Sequence, residues 1–483
     1  MRSASMGVAG VRAMTESAPP PLSDIVRVRA VRIALVLAFM LRLGIALIPA
    51  IPHQTSDSLS YINPGVNFFS HGTFAMTCDP RCVPTLMRTP VYPMLVGLLV
   101  EPFGLPLAAV YVFQALADTL TVLFVAAVGW GIGGRRAGIG SAFIHALNPF
   151  SAVFAAQVMS ESVATLALMG GVYLIIHLYP RNGHASMAAW IALGFLFGFA
   201  TLVRPVFAPI PGVFAVVMFS RTRWREQLRG WVVAAAGFAI VIGPWVARNW
   251  VVSRDGAADD SFRVLASSTV PRYRALTTPG LVRWYQSFEE PFIWDRLREV
   301  PAVARYLLPG EKERTEELFV GVRAVNLVIS PELDAGFGHL ADERIAAHPF
   351  RTRVLPPVSR AARLWITPRL SPFGIESARL SGLLGTLAFF ASIALNGSLA
   401  LFAFVTGFVL WRSAAARLVM VVPVYLTAVH AFIMWGNQSR YVVPAFPEIA
   451  ILAALGGLAL VNHVRRVRSL KPHNREASRA EVA

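Results

Sequence analysis

An all-α, polytopic membrane protein is the fold class that the sequence predicts, and three observations predict it. Hydrophobic residues make up 55% of the chain and charged ones only 15%, with a mean hydropathy of +0.56, far from the balance of a soluble globular domain. Apolar segments recur at the length, roughly 20 residues, that crosses about 30 Å of hydrocarbon. The basic residues sit in short turns between those segments: Arg27, Arg29 and Arg32; Arg135 and Arg136; Arg221, Arg223, Arg225 and Arg229; Arg465, Arg466 and Arg468. Turns of that kind stay on the cytoplasmic side, against anionic headgroups. The net charge of +17 is therefore topological. No basic face interleaved with aromatics points to nucleic acid.

Each segment follows from this pattern in turn. Residues 1–30 read as a cytoplasmic tail without a signal-peptide layout, so the first span, 33–50, reads as a retained helix. A first outer loop, 51–104, comes next. Within it, 89–103 is apolar but interrupted by Pro90, Pro93 and Pro102, which predicts a juxtamembrane helix at the interface rather than a span. Counting it as a span would throw Arg135 and Arg136 outside. Residues 105–130 cross inward to the Gly133-Gly134-Arg135-Arg136 turn, and spans at 137–150, 152–179, 188–203, 206–219 and 231–252 complete a module over 31–252. The polar stretch 253–380 falls outside by parity and is too short for a large independent enzyme domain. In it, Arg351, Arg353, Arg360 and Arg363 beside His348 predict amphipathic helix near the surface, with His348 in a structural role. Spans at 381–411, 418–435 and 441–461 form the C-terminal part, 381–462, and return the basic tail, 463–483, to the cytoplasm. The count is about ten spans, and no internal repeat relates one half to the other.

Polar chemistry is concentrated at one face under this topology. Asp57, Arg88, Glu161, Arg204, Arg248 and Arg440 all fall at the outer ends of spans, accompanied by Tyr61, Tyr92 and Tyr441. Singly, each reads as well as an interfacial anchor or snorkelling side chain as it does as part of a site. Together they outline a cationic, carboxylate-bearing vestibule. For Asp57 the competing role is to cap a short helix; for Glu161 it is a structural pairing with an arginine; for Arg204 it is to end a helix at the headgroups. Tyr92 reads as an interfacial aromatic. Arg42 and Asp118 lie deeper. Intramembrane charges suggest function by default, yet a structural pair is the simpler reading, because Gln114 and Asp118 share a helix face at i,i+4 that could hold Arg42. The two cysteines, Cys78 and Cys82, both lie in the first outer loop. An oxidising exterior permits a bridge between them; two free thiols are the alternative, and one pair is too few ligands for a zinc site.

Several short motifs occur in a fixed order: Asp57-x-x-x-Tyr61, Arg88-x-Pro-x-Tyr-Pro93, Asn148-Pro149 followed by Ser160-Glu161, Leu202-Val-Arg-Pro205, Pro244-Trp-x-x-Arg-Asn249 and Arg440-Tyr-x-x-Pro444. Their order and spacing resemble those of the GT-C glycosyltransferases, in particular glycosyltransferase family 39, which includes the protein O-mannosyltransferases and the lipid A aminoarabinose transferase. The resemblance implies a GT-C-like helical bundle with juxtamembrane helices in the first outer loop and a small outer region between the later spans. It implies a multi-pass enzyme of the bacterial cytoplasmic membrane, with its site facing outward. Such an enzyme moves a hexosyl or pentosyl group from a polyprenyl-phosphate donor to a hydroxyl acceptor. Where the family often has Asp-Glu, this chain has Asp57-Ser58, a single carboxylate. No cofactor is assigned, and a divalent metal has no further support.

The chemistry fits the residues on its own terms. A hydroxyl acceptor must lose a proton as the glycosidic bond forms, and Asp57 is placed to take it. Fixed cations stabilise the departing phosphate, and arginine matches phosphate oxygens through its planar fork. Arg88 and Arg440 are the first candidates, with Arg204 and Arg248 beside them and Glu161 as the second acidic position. Direct displacement inverts the anomeric centre and needs one base, not a closely spaced carboxylate pair. Two rival functions remain: a transporter or flippase of lipid-linked sugars, and a glycan ligase using a polyprenyl-diphosphate donor. A transporter is expected to hold its polar site near the midplane between matched halves, which this sequence lacks.

Overall fold

The computed structural model describes residues 20–49, 51–55, 57–178, 186–254, 279–288, 308–324, 330–366, 383–433 and 439–469. Most of both tails, and much of the polar stretch 253–380, lie outside those residues. Among the described residues the chain is helical nearly throughout, and the one extended pairing is a single antiparallel bridge between Ala75 and Pro84.

The chain begins with α1 (Leu22–Arg27) and α2 (Arg29–Ala46), separated at Val28 by one extended residue. Val31, Ala34, Ala38, Arg42 and Ile45 of α2 are buried at helical spacing, while Ile33, Val36, Leu37 and Met40 are exposed, as a lipid-facing stripe requires. Two short helices follow, α3 (Leu59–His71) and α4 (Val91–Val100). α4 is about 15 Å long at 1.5 Å per residue, half of a bilayer core, so it does not cross alone. Gly72, at φ 71°, ends α3 with a left-handed cap.

The helix α5 (Ala108–Ala146) is a hairpin of two arms. The chain reverses at Gly134, whose φ of 76° and ψ of −179° are not helical; a side chain there would be strained. The second arm folds back so closely that a Cβ on Gly138 would lie 2.6 Å from the Ala126 carbonyl oxygen. Small residues let two helix backbones approach in this way.

Beyond the hairpin, the span expected at 152–179 is divided. α6 (Pro149–Ala155) is capped by the Asn148 side chain, which accepts from the Phe150 and Ser151 N–H groups. A non-helical strap over 156–160 then leads into α7 (Glu161–Leu178). The break places Glu161 at a helix N-terminus instead of inside a span. α8 (Met187–Val203), α9 (Ile210–Met218) and α10 (Trp224–Arg254) come next. Gly194 lies against the Ala234 backbone and Gly198 against Val241, so α8 and α10 run parallel. The polar stretch supplies α11 (Pro279–Gln286), α12 (Glu311–Ala324), α13 (Pro331–Ala347), α14 (Pro349–Arg353) and α15 (Leu355–Ile366). Trp284, Phe288, Phe319 and Phe337 form a small aromatic core among the first three of these. The expected amphipathic helix near His348 is α14 and α15, with His348 ending α13.

α16 (Leu383–Val409), α17 (Ala414–Ala428) and α18 (Phe446–Ser469) complete the bundle. A π-helical turn, Val429–Ile433, and a 3-10 segment, Ser439–Ala445, lie between the last two. Leu455 of α18 packs on Gly133 and Ala454 on Gly140, docking the last helix on the α5 hairpin. Six helices among the described residues are long and apolar enough to cross a membrane: α5, α7, α10, α16, α17 with the π turn, and α18 with its preceding 3-10 segment. The sequence count of about ten takes the two arms of α5 separately and adds α2, α8 and α9, which are shorter or carry more charge.

Candidate functional site

Asp57 lies immediately ahead of α3, in a loop tied to the strap before α7. The Val158 N–H donates to the His53 carbonyl (2.9 Å), the Ser58 hydroxyl donates to the Val158 carbonyl (3.1 Å), and His53 Nδ1 meets the Ala156 carbonyl at 2.9 Å. Gln114 reaches the same strap from α5, donating to the carbonyls of Ala155 (3.0 Å) and Gln157 (2.7 Å) while accepting from the Tyr92 hydroxyl. Asp57 and Glu161 are thereby held in one polar framework, although about a hundred residues separate them. Ser58, next to Asp57, is fully buried and serves this framework.

Two elements deliver charge to Asp57. Arg88, in the turn before α4, donates through Nη2 to Asp57 Oδ1 (2.9 Å), through Nε to the Ser60 hydroxyl (2.8 Å) and through Nη1 to the Tyr61 hydroxyl (3.1 Å). Its guanidinium lies 4.2 Å from the Tyr61 ring centroid. Arg440, from the 3-10 segment before α18, places Nη1 2.7 Å from Asp57 Oδ2. One carboxylate thus has each oxygen on a different guanidinium. Burial works to raise the Asp57 pKa, but Arg440 and Arg88 together outweigh it and hold the carboxyl below its ordinary value. The close approach of α3 and α4 makes this geometry: a Cβ on Gly65 would sit 1.9 Å from the Pro93 carbonyl oxygen, and one on Gly97 2.2 Å from the Gly65 carbonyl carbon.

Glu161 Oε1 pairs with Arg204 Nη1 at 3.1 Å. Arg204 is extended (φ −142°, ψ 108°) at the C-terminal end of α8, as its place before Pro205 dictates. Glu161 Oε2 and Arg440 Nε are buried without a hydrogen-bond partner among the described residues. Tyr61 and Tyr92 meet edge-on at 5.0 Å. Tyr441 stacks on His430 at 4.5 Å with 5° between the rings.

The remaining residues lie elsewhere. Arg248 donates to the carbonyls of Thr85 (2.9 Å) and Phe74 (3.4 Å) and to Asn249 Oδ1 (2.9 Å), and it lies 4.8 Å from the Trp245 ring. It clamps the loop between α3 and α4 and makes no contact with Asp57. Within that loop Cys78 and Cys82 form a disulfide (S–S 2.05 Å). His71 approaches them, and these three are the one grouping with metal-ligand spacing among the described residues. Arg42 Nε donates to Asp118 Oδ2 at 2.6 Å, and its Nη1 to the carbonyls of Ala38 and Ala146, both 3.0 Å. Ser151 donates to the same Asp118 oxygen (3.0 Å) and His145 Nε2 lies 3.4 Å from the other. Gln114, read from the sequence as a partner of Arg42, instead faces Tyr92 and the strap. At one turn's spacing the two side chains diverge, because the strap carbonyls offer Gln114 nearer acceptors.

Residues 87–247, one third of the chain, match the model of a family described as dolichyl-phosphate-mannose-protein mannosyltransferase. No curated protein matches the chain. Among solved structures, the oligosaccharyltransferase of Archaeoglobus fulgidus in its apo form is similar at a TM-score of 0.52 and 15% identity, over 92% of this chain and 51% of that one. Tethered to an acceptor peptide, the same enzyme gives 0.50 and 14%, over 92% and 50%. ArnT from Cupriavidus metallidurans, bound to undecaprenyl phosphate, gives 0.38 and 15%, over 89% and 77%. The chain spans about half the length of the archaeal enzyme. Residues 87–247 thus match the model of that family, and the chain shares the helical fold of the archaeal oligosaccharyltransferase.

Proposed function

We propose that the protein is an inverting glycosyltransferase that moves a sugar from a polyprenyl-phosphate carrier to a hydroxyl acceptor, at the outer face of the cytoplasmic membrane. The observation that carries this reading is the double pairing of Asp57, with Arg88 on one oxygen and Arg440 on the other. Two guanidiniums converging on one small anion are what a phosphate leaving group needs. The matched family's name supplies the donor class, a sugar on a polyprenyl monophosphate.

In this mechanism the donor phosphate competes with Asp57 for Arg88 and Arg440. As the guanidiniums turn to the phosphate, the Asp57 carboxylate loses the two charges that depress its basicity. It then accepts the acceptor's proton while the acceptor oxygen bonds to the anomeric carbon and the bond from that carbon to the phosphate oxygen breaks. Polyprenyl phosphate leaves on the two cations. Glu161, with one oxygen on Arg204 and the other unpartnered, is placed to accept from a sugar hydroxyl. The outward orientation rests on charge: α8 and α10 run parallel, which puts Arg204 at the opposite end of the bundle from Arg221, Arg223, Arg225 and Arg229.

A polyprenyl-diphosphate ligase is the second reading, favoured by the fold shared with an oligosaccharyltransferase. Transport receives less support, because the intramembrane pair Arg42 and Asp118 is closed by carbonyls and by Ser151. The test is incubation of the purified protein with a polyprenyl-monophosphate sugar and, separately, a diphosphate-linked one. Release of the lipid monophosphate with glycosylated product is the expected result. Turnover of the diphosphate donor alone favours the ligase, and turnover of neither rejects both.

A further inference from the structure

Arg360 belongs to no ion pair described above, yet it is among the most buried cations of the chain. It sits midway along α15 at 2% exposure. A buried guanidinium ordinarily finds a carboxylate; this one finds three backbone carbonyls. Nη1 donates to Ala431 (2.9 Å), and Nη2 to Gln286 (2.7 Å) and Phe288 (3.1 Å). Burial pushes its pKa down to about 10, which leaves it charged at neutral pH.

The carbonyls belong to two separate regions. Gln286 and Phe288 close α11, whose aromatic core ties α11, α12 and α13 together. There Arg344 lies 4.0 Å from the Phe288 ring and pairs with Glu311 at 3.0 Å, both buried. Ala431 belongs to the π turn at the end of α17. A π turn breaks the regular backbone ladder, and such turns cluster at functional sites. Gln286 Nε2 adds a contact to the Phe432 carbonyl of the same turn at 3.5 Å. His430, also on this turn, lies flat on Tyr441, and the Arg440 guanidinium is 5.3 Å from that ring. From the polar helices to the Asp57 pair there is one unbroken run of contacts, and Arg360 is its joint.

We propose that Arg360 is a positioning residue for Arg440: by pinning the π turn to the end of α11, it fixes the His430–Tyr441 stack against which the Arg440 guanidinium is aimed at the donor phosphate. The polar helices α11–α13 then set how well the cation is presented. The proposal rests on the phosphate role given to Arg440.

Double-mutant cycles on the full chain in detergent, with sugar-free polyprenyl phosphate as the probe, test it. Arg360→Gln should weaken lipid-phosphate binding about 5- to 20-fold, a coupling typical of residues in one network. In an Arg440→Gln background the same change should cost nothing further, whereas in an Arg88→Gln background it should keep its full effect. Arg360→Lys retains the charge without the fork and should recover part of the binding; if Arg360→Gln does not fold, the lysine variant carries the cycles. Equal losses in both backgrounds, or no loss in either, overturn the proposal. If the unsubstituted protein does not bind the probe, the donor-site reading itself fails. The cycle is then read on thermal unfolding, because the Arg440–Asp57 pair exists without ligand. Non-additive shifts there keep Arg360 as the joint, and additive shifts remove it.

Discussion

In the proposed mechanism Asp57 carries two roles that pull its basicity in opposite directions. Unliganded, the carboxylate pairs with Arg88 and Arg440; during the proposed transfer it takes a proton. Asp57→Asn should therefore lower turnover by about 10²- to 10⁴-fold, the usual loss for a general base, while binding polyprenyl phosphate more tightly than the parent, because the two guanidiniums no longer hold an anion. Isothermal titration with the sugar-free lipid and a turnover assay on the same preparation check both halves. Weaker lipid binding by the variant would refute the competition. Stability carries a second signature. A carboxylate whose folded pKa is depressed stabilises the fold above its unfolded pKa, about 3.9, and loses that contribution as pH falls through the lower folded value. The melting temperatures of parent and Asp57→Asn should differ at pH 6 and converge towards pH 3.

At the scale of elements, the site depends on how closely α3 and α4 approach. Gly65 has no room for a methyl group against the Pro93 carbonyl, so Gly65→Ala must push α4, and with it Arg88, away from Asp57. Overpacking of this kind costs about 1–3 kcal/mol, and turnover should fall together with the melting temperature. A variant that melts lower but turns over normally would show that Arg88 is placed independently of this contact. The two glycines were not readable as a contact, because nothing in a single sequence says which helix Gly65 will meet. The break between α6 and α7 was missed for a related reason. Residues 152–179 are apolar enough to read as one span, and only the acceptors that the strap offers to Gln114, Ser58 and His53 show why the helix stops there.

For the whole molecule, the Arg42–Asp118 pair is the test of what holds the bundle rather than what performs the chemistry. It joins α2, both arms of α5 and α6 through Asp118, Ala146, His145 and Ser151. Removing one partner leaves a buried charge uncompensated, at about 3–5 kcal/mol. Asp118→Asn should thus reduce the yield of folded protein sharply, while the fraction that folds binds polyprenyl phosphate normally. Folded protein with lost binding would move the pair into the site. Topology has its own check. Both native cysteines are in the disulfide, so a cysteine at the exposed positions Ser70 or Ala335 is a clean reporter. An impermeant thiol reagent should label it from outside intact cells, and labelling from the cytoplasmic side alone would reverse the orientation.

What the sequence by itself determined was the multi-pass membrane class and the helical character of the chain; the site residues it offered as candidates. All of these depend on local quantities: hydropathy over a window, arginines in turns, and short motifs such as Arg88-Thr-Pro-Val-Tyr-Pro93 and Leu202-Val-Arg-Pro205. Only the tertiary structure decided which of the arginines share an anion. Arg88 and Arg440 stand hundreds of residues apart and meet on Asp57, while Arg248, with as good a motif, is drawn to the carbonyls of Phe74 and Thr85. A guanidinium serves whichever acceptors lie within its reach, and reach is set by helix packing: glycine contacts, the strap before Glu161, and the π turn held by Arg360. None of these leaves a pattern in the local sequence, because each is a meeting of backbones distant along the chain.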